Sequence, residues 1–226
     1  MSKLNLHSYL KRIAVALEKM VPVNKEATDL LSYEGYVWNS EFKTLLAIDK
    51  IERLPLESLK GIDSQKDILF NNTLAFAKGY KANNALLWGA RGTGKSSLVK
   101  SIHGKLLKDN IDLGLVEIQR EELKDLPYLV KFLSNFNRQY IIFCDDLAFE
   151  NNDYTYKSLK VILEGGLFGR PKNVVFYATS NRRHLMERET KENEQERLLS
   201  SKENAEEKIS LSDRFGIWIG FHSIDQ

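Results

Sequence analysis

Cysteine is nearly absent from this chain of 226 residues: Cys144 stands alone, which excludes an intramolecular disulfide framework. Its place in an apolar run reads as a small buried hydrophobe. Charge of one sign is lacking too. The 33 basic and 31 acidic side chains leave a net charge of +2, so no global field favours a polyanion, and any contact with DNA or RNA must be local. No run of about 18 apolar residues can span a bilayer, and no basic segment followed by an apolar core and a small-residue cleavage site opens the chain. A cytoplasmic protein with no membrane partner is the expectation. No internal repeat is evident, and 42% hydrophobic residues suffice for one large domain or a core domain with an accessory segment.

What the chain does contain is an apolar strand, a glycine-rich loop and a helix start in succession: Ala85-Leu86-Leu87-Trp88-Gly89-Ala90-Arg91-Gly92-Thr93-Gly94-Lys95-Ser96. Gly89, Gly92 and Gly94 open backbone conformations closed to residues with a Cβ, and let several N–H groups converge on one anion. The helix starting near Gly94 adds its N-terminal partial positive charge, Lys95 reaches the β- and γ-phosphates, and the Ser96 hydroxyl is a ligand for Mg²⁺. Ala90, Arg91, Thr93 and Ser97 belong to the same nucleotide-binding stretch, although the scheme does not require Ser97. The competing reading is a loop that merely turns the chain. Against it stand the preceding strand and the following helix, whose Leu98, Val99, Ile102 and Leu106 recur at helical spacing.

A second motif follows about 50 residues after Lys95. Tyr140-Ile141-Ile142-Phe143-Cys144-Asp145-Asp146 is an apolar strand ending in two carboxylates, the form of a Walker B motif. Asp145 is placed to hold Mg²⁺ through its water shell and Asp146 to orient or deprotonate an attacking water. Two solvated aspartates at a strand end are the alternative. Val174-Val175-Phe176-Tyr177-Ala178-Thr179-Ser180-Asn181 is another apolar strand with a polar end, from which Asn181 can contact the γ-phosphate or help position the water; the same residues are common where strands give way to turns. Leu211-Ser212-Asp213-Arg214-Phe215-Gly216 carries an arginine able to stabilise charge on a phosphoryl group. From the residues alone, Arg214 reads as a surface arginine.

Elsewhere, Leu6, Leu10, Ile13 and Leu17 predict an amphipathic helix over 4–17, and a second helical pattern runs from Phe42 to Leu54. Between them the aromatic cluster Tyr33-Glu34-Gly35-Tyr36-Val37-Trp38 packs on the core or meets a partner, packing being the simpler reading. From Leu59 onward short apolar strands alternate with helices, as in a parallel α/β sheet. The strands are expected at Ala85–Trp88, Leu113–Ile118, Tyr140–Cys144, Val174–Ala178 and Ile217–Phe221. Helices are expected at Ser96–Leu107, Leu126–Leu133 and Tyr156–Leu163, with Gly165-Gly166 as a stop signal. Residues 187–208, dense in Glu, Lys and Arg, read as a solvated helix or mobile insertion, or as a segment that engages a neighbour.

Together the motifs resemble the AAA+ ATPases, and in detail the bacterial proteins grouped as domain of unknown function 815. The similarity covers most of the chain, notably Leu59-Lys60-Gly61-Ile62-Asp63-Ser64-Gln65, Asn83-Asn84-Ala85-Leu86-Leu87-Trp88, Ala178-Thr179-Ser180-Asn181-Arg182 and Leu211-Ser212-Asp213-Arg214-Phe215. The resemblance implies a three-layer α/β P-loop NTPase core with a parallel five-stranded sheet of order 5-1-4-3-2, occupying 59–226 behind a helical accessory region, 1–58. It implies an adenine pocket partly built around Gly61 and Ile62, Asn181 as sensor 1, and Arg214 as an arginine finger reaching a neighbouring subunit's ATP in a homo-oligomer. Two features depart from the family pattern. Asp145-Asp146 replaces the usual Asp-Glu and looks like the pair of bacterial replication initiators, which makes slow hydrolysis plausible. The sequence also ends at Gln226, with no room for the helical lid that usually carries sensor 2.

The expected function is therefore ATP binding and hydrolysis with Mg²⁺, coupled to remodelling or switching of an unidentified macromolecular partner. The alternative is an ATP-regulated DNA binder or loader with little intrinsic hydrolysis, motivated by the aspartate pair and by Arg182-Arg183-His184, where a solvated turn is the simpler reading. A small-molecule kinase or a GTPase would use the same loop; the lack of an Asn-Lys-x-Asp motif after it argues against GTP. A scaffold that holds ATP without hydrolysing it is the remaining option.

Overall fold

In the computed structural model, the described residues are 9, 33–149, 155–165, 169, 171–181, 185 and 213–222. Apart from Tyr9, the helix expected over 4–17 lies outside them, as do the charged stretch 187–208 and the cluster Arg182-Arg183-His184. Seven strands form one sheet: β1 (Gly35–Asn39), β2 (Thr44–Ile48), β3 (Ala85–Gly89), β4 (Gly114–Glu117), β5 (Tyr140–Cys144), β6 (Val174–Ser180) and β7 (Ile217–Phe221), in the order β2-β1-β4-β5-β6-β3-β7. The helices are α1 (Asp63–Ala77), α2 (Lys95–Lys108), α3 (Leu126–Leu133) and α4 (Tyr156–Glu164). Counted from β3, the five strands β3 to β7, all parallel, have the expected order 5-1-4-3-2.

The sheet has two buried faces because strand side chains alternate. Ala85, Leu87, Leu115, Ile141, Phe143, Val175 and Tyr177 face a layer containing Leu69 and Phe76 of α1 and Leu98, Val99, Ile102 and Leu106 of α2. Leu86, Val116, Tyr140, Ile142, Cys144, Phe176 and Ala178 face Leu126, Leu129, Val130 and Leu133 of α3 and Leu159 and Leu163 of α4. The result is a three-layer α/β/α sandwich whose central strands read as continuous apolar runs, as parallel strands buried on both sides do. Gly165 ends α4 in the left-handed conformation, as its glycine allows. Among the described residues, no helix is long and apolar enough to cross a membrane.

Two expectations need correction. The helix over Phe42–Leu54 does not form; Thr44–Ile48 is strand β2, paired antiparallel with β1 from Gly35↔Ile48 to Asn39↔Thr44. β1 runs parallel to β4, so the sheet has seven strands rather than five, and 35–48 belong to it rather than to a helical accessory region. The run Thr44-Leu45-Leu46-Ala47-Ile48 is too short for periodicity to separate helix from strand, and pairing with β1 decides it. The hairpin is fastened to the turn at 120–125: the Ser40 N–H donates to Glu122 Oε1 at 3.0 Å, and Lys43 pairs with Asp125 at 2.5 Å. The aromatic cluster is core. Tyr36 and Trp38 are each 2% exposed, and Trp38 lies 5.9 Å from the Tyr128 ring of α3.

Candidate functional site

The strand register builds the site. Cys144 pairs with Ala178, so the next residue along each strand sets Asp145 beside Thr179; β6 also pairs with β3 as far as Trp88↔Ser180, so Asn181 emerges beside the start of the glycine loop. Three adjacent strand ends thus bring together Lys95 and Ser96, Asp145 and Asp146, and Asn181, residues separated by up to 86 positions in sequence. This is where a parallel α/β sheet presents a crevice.

Gly89 takes φ +144° at the end of β3, Gly92 φ +81°, and Gly94, the residue preceding α2, φ +91°. A Cβ on Gly89 would lie 2.0 Å from the Phe221 carbonyl oxygen, so only glycine lets the chain leave the sheet here. Thr93 Oγ1 donates to the Ala90 carbonyl at 2.8 Å and braces the loop, whose Arg91 is exposed. Lys95 is buried, and its Nζ donates to the carbonyls of Gly89 and Ala90, both at 2.7 Å, and to Asn181 Oδ1 at 3.2 Å. Burial lowers the affinity of this ammonium for its proton, while Asp145 and Asp146 act in the opposite direction.

Ser96 Oγ donates to Asp145 Oδ1 at 2.5 Å, and the Thr179 hydroxyl donates to the same oxygen. The Asp146 N–H lies 3.1 Å from Asp145 Oδ1 and 2.9 Å from Thr179 Oγ1. Asn181 Nδ2 donates to Asp146 Oδ1 at 2.6 Å. Asp146 itself has φ +52°, an uncommon conformation for a residue with a Cβ and one that clusters at functional sites. Hard oxygen donors from Ser96 and Asp145 at this separation suit Mg²⁺, and the left-handed glycines beside a helix N-terminus suit phosphate. The residues therefore fit both groups.

The remaining expected residues fall in two places. Gly61, at φ +75°, and Ile62 precede α1; the Ile62 Cδ1 lies 3.9 Å from where a Cβ on Gly94 would stand, so this segment flanks the loop. Ser96 and Ser97 line one end of a cleft of about 1140 Å³ that runs along α2 towards residues 49–57. That cleft touches the phosphate loop only at its end, so the loop and the carboxylates locate the site and the cleft does not. Arg214 is not with the others. It precedes β7, at the opposite end of the parallel sheet from the loop, and its Nε donates to Glu164 Oε1 at 2.5 Å. Cys144 is fully buried, with its thiol pushed up by burial, and is core. Thr179, which links both aspartates, carries no sequence signal beyond its place at a strand end.

A strand, glycine loop and helix beside a second strand ending in carboxylates, on a sheet of order 5-1-4-3-2, define a P-loop NTPase fold of the AAA+ type. The chain belongs to the family described as "Protein of unknown function (DUF815)", whose model matches residues 32–226. Among solved structures, it is similar to the Orc1 protein of Aeropyrum pernix in complex with DNA, at 17% identity and a TM-score of 0.50 over 77% of this chain and 47% of that one. A RuvB variant from Thermotoga maritima matches at 18% identity and a TM-score of 0.47, over 74% of this chain and 47% of that chain. DnaI matches at 17% identity and a TM-score of 0.45, over 77% of this chain and 89% of that one. The chain spans less than half the length of these Orc1 and RuvB chains. No curated protein matches it.

Proposed function

We propose that the protein binds ATP with Mg²⁺ at this crevice and hydrolyses it, using the cycle to switch or remodel a macromolecular partner. The observation that carries this reading is the single hydrogen-bonded network of Lys95, Asn181, Asp146, Thr179, Asp145 and Ser96 at three adjacent strand ends. Bound Mg²⁺-ATP would supply the reactive γ-phosphoryl group and a cation that offsets charge on its oxygens.

The chain's own residues divide the work. The loop amides from Gly89 to Ser96 and the N-terminus of α2 bind the phosphates, and Lys95 exchanges its carbonyl partners for phosphate oxygens. Ser96 and Asp145 hold the metal. Asp146 orients the attacking water and accepts its proton at Oδ2, an atom with no hydrogen bond among the described residues, while Asn181 fixes the other carboxylate oxygen. A carboxylate one methylene shorter than glutamate favours slow turnover. Gly61 and Ile62 flank the adenine of the nucleotide. Arg214 faces away from its own loop, so it serves a neighbouring copy's site once released from Glu164, and the active form is a homo-oligomer.

The test is the specific ATPase rate measured against protein concentration, with Asp146→Ala beside the wild type. The reading expects a rate that rises with concentration, and an Asp146→Ala protein that keeps ATP affinity but loses at least about tenfold in turnover. Loss of binding and turnover together in Asp146→Ala would contradict this division of labour.

A further inference from the structure

Thr179 has more to do than complete a strand. Its side chain is 1% exposed at the end of β6, where valine would fill the same space and equally suit a strand. A buried hydroxyl is unfavourable unless it is hydrogen-bonded, and this one is bonded twice, both times to the aspartate pair. It donates to Asp145 Oδ1 and accepts from the Asp146 N–H at 2.9 Å. The polarity fits: a hydroxyl has one proton to give and lone pairs to receive, a carboxylate accepts, and an amide donates. The backbone of the same residue takes a third point of the turn, because the Leu147 N–H donates to the Thr179 carbonyl at 2.7 Å.

We propose that Thr179 is a positioning residue for this site, its hydroxyl fixing the metal-holding Asp145 and the water-orienting Asp146 relative to each other. The inference rests on the functional reading above and adds a residue to it. Three donors converge on Asp145 Oδ1, namely Ser96 Oγ, Thr179 Oγ1 and the Asp146 N–H, which leaves Oδ2 with no hydrogen bond among the described residues and available to a metal-bound water. The same hydroxyl accepts the amide of Asp146 in its left-handed conformation, φ +52°. Neither Lys95 nor the glycine loop bonds the Thr179 side chain. Its loss should therefore act on the metal and on turnover, and leave the loop's grip on phosphate intact.

The experiment compares wild type, Thr179→Val and Thr179→Ser by calorimetric titration with ATP, first in chelator and then across a series of Mg²⁺ concentrations, with melting temperature and turnover measured alongside. For Thr179→Val, metal-free ATP affinity stays within about twofold of wild type, and the Mg²⁺ concentration giving half of the metal-dependent gain in affinity rises about tenfold, the scale of one lost hydrogen bond to a charged group. Thr179→Ser, which keeps the hydroxyl, returns to within about threefold. If Thr179→Val does not fold, Thr179→Ala removes the same hydroxyl with less bulk and is held to the same expectation. A wild-type Mg²⁺ response in the folded hydroxyl-free variant, or a serine variant as defective as valine, overturns the inference alone. A wild type whose ATP affinity is indifferent to Mg²⁺ overturns the functional reading, and this inference with it.

Discussion

Replacing Gly89 by alanine tests the geometry on which the phosphate loop depends. The added Cβ would stand 2.0 Å from the Phe221 carbonyl oxygen and 2.9 Å from both the carbonyl carbon and the Cβ of the same residue, where ordinary contact begins at 3.4 Å. Gly89 and Phe221 are the last pair of the β3–β7 ladder, so the clash is between backbones and no side chain can swing aside. Prising the strands apart costs about 1–3 kcal/mol as overpacking. Holding a Cβ-bearing residue at φ +144° adds a further cost of about 1–3 kcal/mol. At 2–4 °C per kcal/mol for a chain of this size, the melting temperature falls by roughly 5–20 °C. Gly92→Ala is the control, because a Cβ there meets nothing within 4 Å and only its φ of +81° is unfavourable. Calorimetry of both variants decides the matter. A Gly89→Ala protein that melts no lower than Gly92→Ala would refute the argument that close approach to β7, rather than loop flexibility, requires glycine.

Three further outcomes follow from other parts of the molecule. Arg138 is 6% exposed and donates to the Tyr33 and Leu113 carbonyls and the Tyr36 hydroxyl while pairing with Asp112 at 2.8 Å; Arg138→Ala should destabilise the protein by about 2–4 kcal/mol in urea titrations, since it strands several buried acceptors, and a loss below about 1 kcal/mol would dismiss that role. His103 is fully buried, its Nε2 donating to the Leu113 carbonyl at 2.9 Å, and burial pulls its pKa from 6.5 down to about 4. The unfolded chain then binds a proton that the folded one refuses, so this contribution is complete above pH 6.5 and is lost as the pH falls to about 4, at up to about 1.4 kcal/mol per unit; His103→Gln should flatten the slope of stability against pH in that window. Arg214→Ala should leave ATP affinity unchanged and reduce only the concentration-dependent part of the ATPase rate. Mixing it with Lys95→Ala should restore some activity, and unchanged inactivity in mixtures would count against a role in a neighbour's site.

Much of this was legible from the chain itself. The runs Tyr140–Cys144 and Ile217–Phe221 are long enough in apolar residues, and bounded sharply enough, that strand limits fall where the pattern puts them. The glycine loop and the two aspartates stood out by residue type and spacing, and the strand register brings them to one crevice, while their parts in binding phosphate and metal belong to the proposal. Three things were not legible. Strand β2 is a five-residue run that fits helix or strand equally and becomes a strand only through β1, which in turn needs β4. Helix α1 buries only Leu69, Thr73 and Phe76 along 15 residues, too sparse a stripe to stand out. Thr179 is a β-branched residue in a strand, unexceptional until the register of β5 and β6 sets it beside Asp145. Arg214 shows the converse: the residues alone give it no role, the family resemblance supplies one, and the structure places it at the far end of the sheet from its own loop, paired with Glu164.

The central claim is that Lys95, Ser96 and Asp145 form one site for Mg²⁺-ATP. Titration of wild type and Lys95→Ala with ATP, with and without Mg²⁺, tests it most directly. The account predicts saturable binding by the wild type that Mg²⁺ strengthens, and a loss of at least about tenfold in affinity when the lysine is removed, since its ammonium exchanges two carbonyl contacts of 2.7 Å for charged phosphate. Equal affinity in the two proteins, or no binding by the folded wild type, would contradict it.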